Sequence, residues 1–213
     1  MYRNGEAGMI KNILFDFDGV ILDSMKIKGD GFAELFKAYP QSSIEKLEAY
    51  HYANGGVSRF EKIRYFFNKI LHSQISEQEV EELATQFAQI IAKKLYDPSN
   101  LISETITFIS ENYLNYNCHI VSGAEHHELN HLCSHFGINH YFQSIQGSPT
   151  IKSRLIANLL ENNRYQSNET ILIGDSINDY EAAKANNIHF YGYNNEALRR
   201  GGNYIYTFSG FQP

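Results

Sequence analysis

Ile13-Leu14-Phe15-Asp16-Phe17-Asp18-Gly19-Val20 sets a short apolar run directly ahead of two carboxylates and a glycine. An apolar run of this length, bounded by a turn signal, reads as a buried strand, and the acids then fall at its C-terminal end. Side chains alternate across a strand, so Asp16 and Asp18, two positions apart, are expected on one side. Gly19 supplies a turn with no side chain in the way. Two carboxylates converging on one strand end repel each other unless a cation lies between them, and oxygen ligands of this kind suit Mg²⁺. An Asx-rich turn that only closes a strand has the same local sequence. The stretch gains meaning from what accompanies it.

Three more segments read as buried strands ending in polar turns. They are Cys118–Val121 ahead of Ser122-Gly123, Ile171–Ile173 ahead of Gly174-Asp175, and His189–Tyr193. Between them Leu129, Leu132, Cys133 and Phe136 recur at helical spacing, as do Leu155, Ile156, Leu159 and Leu160. Strands alternating with helices predict an α/β fold with a doubly wound parallel sheet, whose ligand site lies outside the carboxyl ends of the strands. From Ser24 to Lys93 the pattern changes and no strand is evident. Phe60, Ile63, Phe67, Ile70 and Leu71 form one amphipathic stripe. Val80, Leu83, Phe87, Ile90 and Ile91 form another, entered by a capping-box pattern at Ser76 and Glu79. Such stripes bury against each other, so residues 24–93 are expected to form a helical cap inserted after the first strand. Residues 9–23 and 94–213 then make the core, with Asp97-Pro98-Ser99-Asn100 marking the return.

The chain has 213 residues, 43% of them hydrophobic, which suits one large or two small globular domains. No apolar stretch approaches the roughly 20 residues that span a bilayer. A net charge of −6 argues against nucleic acid as partner, which calls for a basic face. Cys118 and Cys133 are too few for a disulfide framework, so a reducing, cytoplasmic setting is the expectation. Met1–Gly8 reads as a disordered lead or tag remnant, with Met9 as a natural start.

Ser122 and Gly123 follow the second strand and are read as opening a helix near Ala124. A hydroxyl and free backbone N–H groups there make an anion cradle, or a plain helix cap. Lys152 begins the next helix; it reads either as solvated surface or, because a cation is electrostatically misplaced at a helix start, as held for a ligand. Gly174-Asp175-Ser176-Ile177-Asn178-Asp179 adds two carboxylates after the third strand. Four acids, a hydroxyl and a lysine, all at strand ends, make a Mg²⁺-dependent phosphoryl site.

The set and its order closely resemble the haloacid dehalogenase superfamily, whose fold is Rossmann-like with a helical cap. The four motifs stand here as Asp16–Val20, Val121–Gly123, Lys152 and Gly174–Asp179, and the resemblance spans nearly all of the chain from Ile10 onward. It implies a phosphatase acting on a small phosphorylated metabolite, with Asp16 as nucleophile and an aspartyl-phosphate intermediate. Asp18 is implied to protonate the leaving alcohol and then to activate water. The dehalogenases and phosphonate-cleaving members lack an aspartate there. Mg²⁺ is implied to sit on Asp16, the backbone carbonyl of Asp18, and Asp175, with Asp179 orienting them, and Ser122, Gly123 and Lys152 are implied to grip the phosphoryl oxygens.

Within the superfamily the chain resembles the phosphoglycolate phosphatase and β-phosphoglucomutase subgroup. Gly56-Val57-Ser58-Arg59 is similar to the cap loop of the mutase, whose arginine meets the substrate. The same residues also read as a helix start with Ser58 as N-cap and Arg59 solvated. Lys28 stands where the mutase has a histidine, and the three residues between Asp175 and Asp179 replace its adjacent acids, so a phosphatase is favoured over a mutase. Lys28 and Arg59 would make the cap side of the cleft cationic and suit an acidic metabolite.

His127, His131 and His135 recur every four residues but lie opposite Leu129, Leu132 and Phe136, which points them to solvent rather than to a zinc ion. His126 lies nearer the active face. A phospho-signalling receiver domain also uses acids, a hydroxyl and a lysine on a parallel sheet. It has no place for the helical insert or for the Asp175/Asp179 motif. A catalytically silent binding module is the remaining alternative, and here every expected chemical group is present.

Overall fold

The computed structural model describes residues 9–200 and 202–213. The segment read above as a lead, Met1–Gly8, lies outside the described residues. Strand β1 (Asn12–Phe15) is buried along its whole length. An unbroken apolar run behaves this way in a parallel sheet covered on both faces. Its side chains alternate: Ile13 and Phe15 enter one hydrophobic core and Leu14 the other.

The chain then leaves the sheet for the cap helices α1 (Met25–Leu35), α2 (Gln41–Ala53), α3 (Arg59–Tyr65) and α4 (Glu77–Leu95). A π-helical turn, Phe66–Ile70, extends α3. After a turn at Pro98–Asn100 come α5 (Ser103–Asn112), β2 (Asn117–Glu125) and α6 (His126–His135). The remainder is β3 (Ser144–Ser148), α7 (Lys152–Asn163), β4 (Thr170–Gly174), α8 (Ile177–Ala185), β5 (His189–Tyr193) and β6 (Asn203–Ile205).

The six strands are parallel in the order β3-β2-β1-β4-β5-β6. β1 is central, with Phe15 beside Ile120 of β2 and Ile173 of β4. The chain reverses direction across the sheet at β1, so a crevice opens at the carboxyl ends of β1 and β4. Leu155, Ile156 and Leu159 of α7 and Ala182 and Ala183 of α8 cover the Leu14 face. Two strands were absent from the sequence reading. β3 (Ser-Ile-Gln-Gly-Ser) and β6 (Asn-Tyr-Ile) are the edge strands, and their polar composition follows from having a neighbour on one side only.

In the cap, α4 opens with the predicted capping box, Ser76 and Glu79 bonding reciprocally. It runs to the buried Leu95, two residues past the expected boundary at 93. Phe32 of α1 meets Phe87 of α4 at 4.3 Å between ring centroids, and Phe36 stacks on Phe66 at 4.0 Å. The buried stripe of α3 is rotated one residue from the expected one: Arg59, Lys62, Ile63 and Phe66 are buried, and Phe60 and Phe67 are only partly so. Among the described residues no helix is long and apolar enough to cross a membrane.

Candidate active site

The β1–β4 ladder continues one residue past β1, with the Asp16 N–H donating to the Ile173 carbonyl at 2.9 Å. Asp16 shares the parity of Leu14, so its carboxylate lies on the face covered by α7 and α8. There Lys152, the first residue of α7, is 2.8 Å from Asp16 Oδ1 and also pairs with Asp179. Carboxylate oxygens of Asp16, Asp175 and Asp179 all lie within 4.8 Å of one another. Asp179 is fixed from the other side by Ser176, whose N–H and hydroxyl donate to Asp179 Oδ2 at 3.0 and 2.7 Å. This is a capping box at the start of α8, a signal present in the sequence as Ser176-x-x-Asp179 but not used there.

Asp18 does not converge on this cluster as its spacing predicted. Its carboxylate accepts from Ser24 and Lys28, both at 2.5 Å, on the cap side. The reason is local: strand geometry ends at Phe15, and the turn through Gly19 (φ +76°) breaks the alternation. As a metal ligand Asp18 therefore has only its backbone carbonyl to offer, the atom that the family resemblance implies.

The two acids sit in opposite environments. Burial and the charge of Asp179, incompletely offset by Lys152, push Asp16 up to about 7. Burial, Asp16 and Asp179 push Asp175 up to about 8. Burial also works against ionised Asp18, but Lys28 and Ser24 outweigh it and hold Asp18 below the usual carboxylate range. Lys152 is raised despite its burial by Asp16 and Asp179. Three clustered carboxylates thus share one lysine, and Asp175 Oδ1 is buried with no hydrogen-bond partner. An orphaned carboxylate oxygen amid surplus negative charge fits a divalent, oxygen-seeking cation on Asp16 and Asp175.

Ser122 and Gly123 reach the site differently from the expectation. β2 continues to Glu125, and α6 starts at His126, with the Glu125 carboxylate accepting from the N–H groups of His127 and Glu128. The predicted helix start at Ala124 is displaced because Ser122 Oγ already takes the Ala124 N–H, at 3.1 Å. Ser122 is buried within β2, two residues past Ile120, the last β2 residue paired with β1, rather than at a helix N-terminus.

The cap is closed over these motifs. A Cβ on Gly123 would collide with the Gly56 carbonyl, and one on Gly56 would lie 3.0 Å from Ser176 Oγ. Ser58 is the N-cap of α3, accepting from the Glu61 N–H. Arg59 is not solvated: it is buried, pairs with Glu128 of α6 and lies over the Phe87 ring. Lys28 is buried on Asp18. Residues that the sequence reading missed are Ser24, His51, Lys62, Glu128, and the pair Asn194 and Asn195. The last two donate to the carbonyls of Gly19 (3.1 Å) and Asp175 (2.7 Å) and so brace both acidic loops. His127, His131 and His135 are exposed, as expected, and His126 accepts from the Gly147 N–H instead of facing the acids.

Comparison with known proteins follows the same lines. No curated protein matches the chain. Among solved structures, a β-phosphoglucomutase from Clostridium difficile aligns with a TM-score of 0.77 at 17% identity, covering 96% of this chain and 94% of the other. A predicted phosphoglycolate phosphatase from Haemophilus somnus aligns with a TM-score of 0.65 at 19% identity, covering 86% and 85%. YfnB from Bacillus subtilis, in a magnesium-bound structure that reveals interdomain movement, aligns at 0.69 and 16%, covering 95% and 97%. These likenesses establish the fold. The sequence itself matches the profile of the haloacid dehalogenase-like hydrolases over residues 13–193, most of its length, and the chain belongs to that family.

Proposed function

We propose that the chain is a Mg²⁺-dependent phosphatase that hydrolyses a small phosphorylated metabolite through an aspartyl phosphate. The observation that carries this reading is the separation of two carboxylates only two residues apart. Asp16 lies against Lys152 in the acidic cluster, and Asp18 lies against Lys28 and Ser24 on the cap side. Two acids held apart, one in the acidic cluster and one facing the cap, are what a nucleophile and a separate proton carrier need. Without a cation their shifts run opposite to those roles, Asp16 raised and Asp18 lowered, and a cation on Asp16 and release of Asp18 by Lys28 would reverse them.

Asp16 attacks phosphorus, the bond from phosphorus to the alcohol oxygen breaks, and Asp18 gives that oxygen its proton. Water then attacks the aspartyl phosphate, Asp18 takes a proton from it, and Asp16 departs as a carboxylate. Ser122, the Gly123 N–H and Lys152 bind the phosphoryl oxygens. Bound Mg²⁺ supplies the positive charge that lets a phosphate dianion approach these carboxylates, and Asp16, Asp175 and the Asp18 carbonyl would hold it. In the closed structure Asp18 is held ionised, the form that the water step uses. For the alcohol step Lys28 must yield its contact as the substrate enters.

The family assignment and a magnesium-bound structural neighbour support this reading. Two buried, unpaired cysteines fit a cytoplasmic setting, and a net charge of −6 fits a metabolite rather than nucleic acid. The test is Mg²⁺-dependent turnover of p-nitrophenyl phosphate, together with release of inorganic phosphate rather than an isomerised ester from sugar phosphates. Asp16→Asn is expected to abolish turnover, and Asp18→Asn to lower it by about 10²–10⁴-fold. Near-normal turnover by Asp16→Asn sinks the covalent mechanism.

A further inference from the structure

Lys62 of α3 has no part in the steps above, yet it is only 3% exposed. It lines a chamber beneath the cap with Asp18, Lys28, His51, Arg59 and Phe87. A buried ammonium normally has a carboxylate partner. Among the described residues Lys62 has none; its hydrogen-bond partner is His51 Nδ1, at 3.0 Å. The other ring nitrogen, Nε2, lies 2.9 Å from the Met25 carbonyl. A carbonyl only accepts, so Nε2 carries the proton and Nδ1 offers its lone pair to Lys62. Burial and Lys62 push His51 down to about 3, which keeps it neutral in this role.

Charge in the chamber does not balance. Lys28 is matched by Asp18, and Arg59 by Glu128, and Lys62 is left over. Burial and Lys28 push Lys62 down to about 7 and outweigh the opposing pull of Asp18, Asp175 and Asp16, the direction expected of a buried ammonium with no carboxylate in contact. Of its three N–H bonds one goes to His51, and two remain for a ligand. Asp18 faces the same chamber, so the alcohol half of the ester must lie there to receive its proton.

We propose that Lys62, positioned by His51, reads a second acidic group on the leaving alcohol, so that the substrate is a phosphate monoester whose alcohol carries a carboxylate or another phosphate. This rests on the phosphatase reading of the site. With the cap as it stands the chamber holds about 20 Å³, little more than one water, which favours a short leaving group admitted as the cap opens.

The test is a binding ratio in the Asp16→Asn protein, which holds the esters without turning them over. Ethyl phosphate, 2-phosphoglycolate and ethane-1,2-diol bisphosphate are titrated calorimetrically in Mg²⁺. One of the two acidic esters is expected to bind at least about tenfold more tightly than ethyl phosphate, and which one distinguishes carboxylate from phosphate. Adding Lys62→Met is expected to cut that preference by about tenfold to a hundredfold. The ratio is internal to each preparation, so an incompletely folded fraction cancels. Lys62→Gln, which keeps a donor without the charge, serves where the methionine variant does not fold. Equal affinities for the three esters, or a preference that survives removal of the charge, overturn the proposal. A missing wild-type turnover of p-nitrophenyl phosphate beside an intact, Lys62-dependent ratio overturns the phosphatase reading alone.

Discussion

Gly19 is constrained twice. Its φ of +76° is one that residues with a Cβ avoid, and a Cβ there would collide with the Asp175 carboxylate. The backbone penalty alone is about 1 kcal/mol. Relief of the collision moves Asp175, the acid that carries the orphaned oxygen. Gly19→Ala is therefore expected to lower unfolding stability by about 1–2 kcal/mol in urea titrations and to lower turnover by a larger factor than lost stability explains. Full activity in a destabilised variant would show that Asp175 is not held in place by this turn. At the same scale, Asn194 and Asn195 tie the Gly19 and Asp175 carbonyls to the end of β5, so the geometry of the two acidic loops depends on residues that carry no chemistry of their own.

Arg59 and Glu128 join two elements, α3 of the cap and α6 of the core, and both side chains are largely buried. Removing one member of such a pair leaves a buried charge without its partner. Arg59→Ala and Glu128→Ala are each expected to lower kcat/KM by about tenfold or more through loss of the closed state. The factor should be the same for p-nitrophenyl phosphate and for an acidic ester, and the double variant no worse than the poorer single one. A loss confined to the acidic ester would make Arg59 a substrate reader instead. The sequence shows neither this pair nor the one between Lys62 and His51, because each joins residues of separate helices, and periodicity within one helix carries no record of the other. Periodicity served well where burial is two-sided: β1, β2 and β4 were legible as apolar runs, and Asp16, Lys152 and Asp175 were placed by lying at strand ends or at a helix start; β5 is a strand as expected but is buried only at Gly192 and Tyr193, not throughout. It failed at the polar edge strands. It also failed at the start of α6, where the Ser122 hydroxyl takes the first N–H and Glu125 becomes the cap.

Over the whole molecule, the acids at the strand ends couple stability to pH and, on the proposed reading, to metal. Asp16 and Asp175 are raised to about 7 and 8 from an unfolded value of 3.8. In metal-free protein the folded state therefore holds protons that the unfolded chain has released. That stabilisation is complete below the unfolded value and is lost as pH rises through 7 and 8. On the proposed reading Mg²⁺ needs both carboxylates ionised and must displace those protons at lower pH. The gain in melting temperature on exchanging chelator for Mg²⁺ is expected to be small at pH 5.5, to grow as pH rises toward 7 and 8, and to level above 8. Groups common to both conditions, such as His51 and His119, cancel in this difference. A gain that is flat with pH, or falls, contradicts the placing of the cation on these acids. The contact between the Gly56 carbonyl and Gly123 bears on something else: how such an enzyme acquires a new substrate. The roof above the phosphoryl motif is bare main chain, chemically anonymous, and any side chain introduced there props the lid ajar and admits solvent. Adaptive change is thereby steered away from the loop and into the cap helices, around Phe32, His51 and Lys62. A mutagenesis library for retargeting should be concentrated at those three positions.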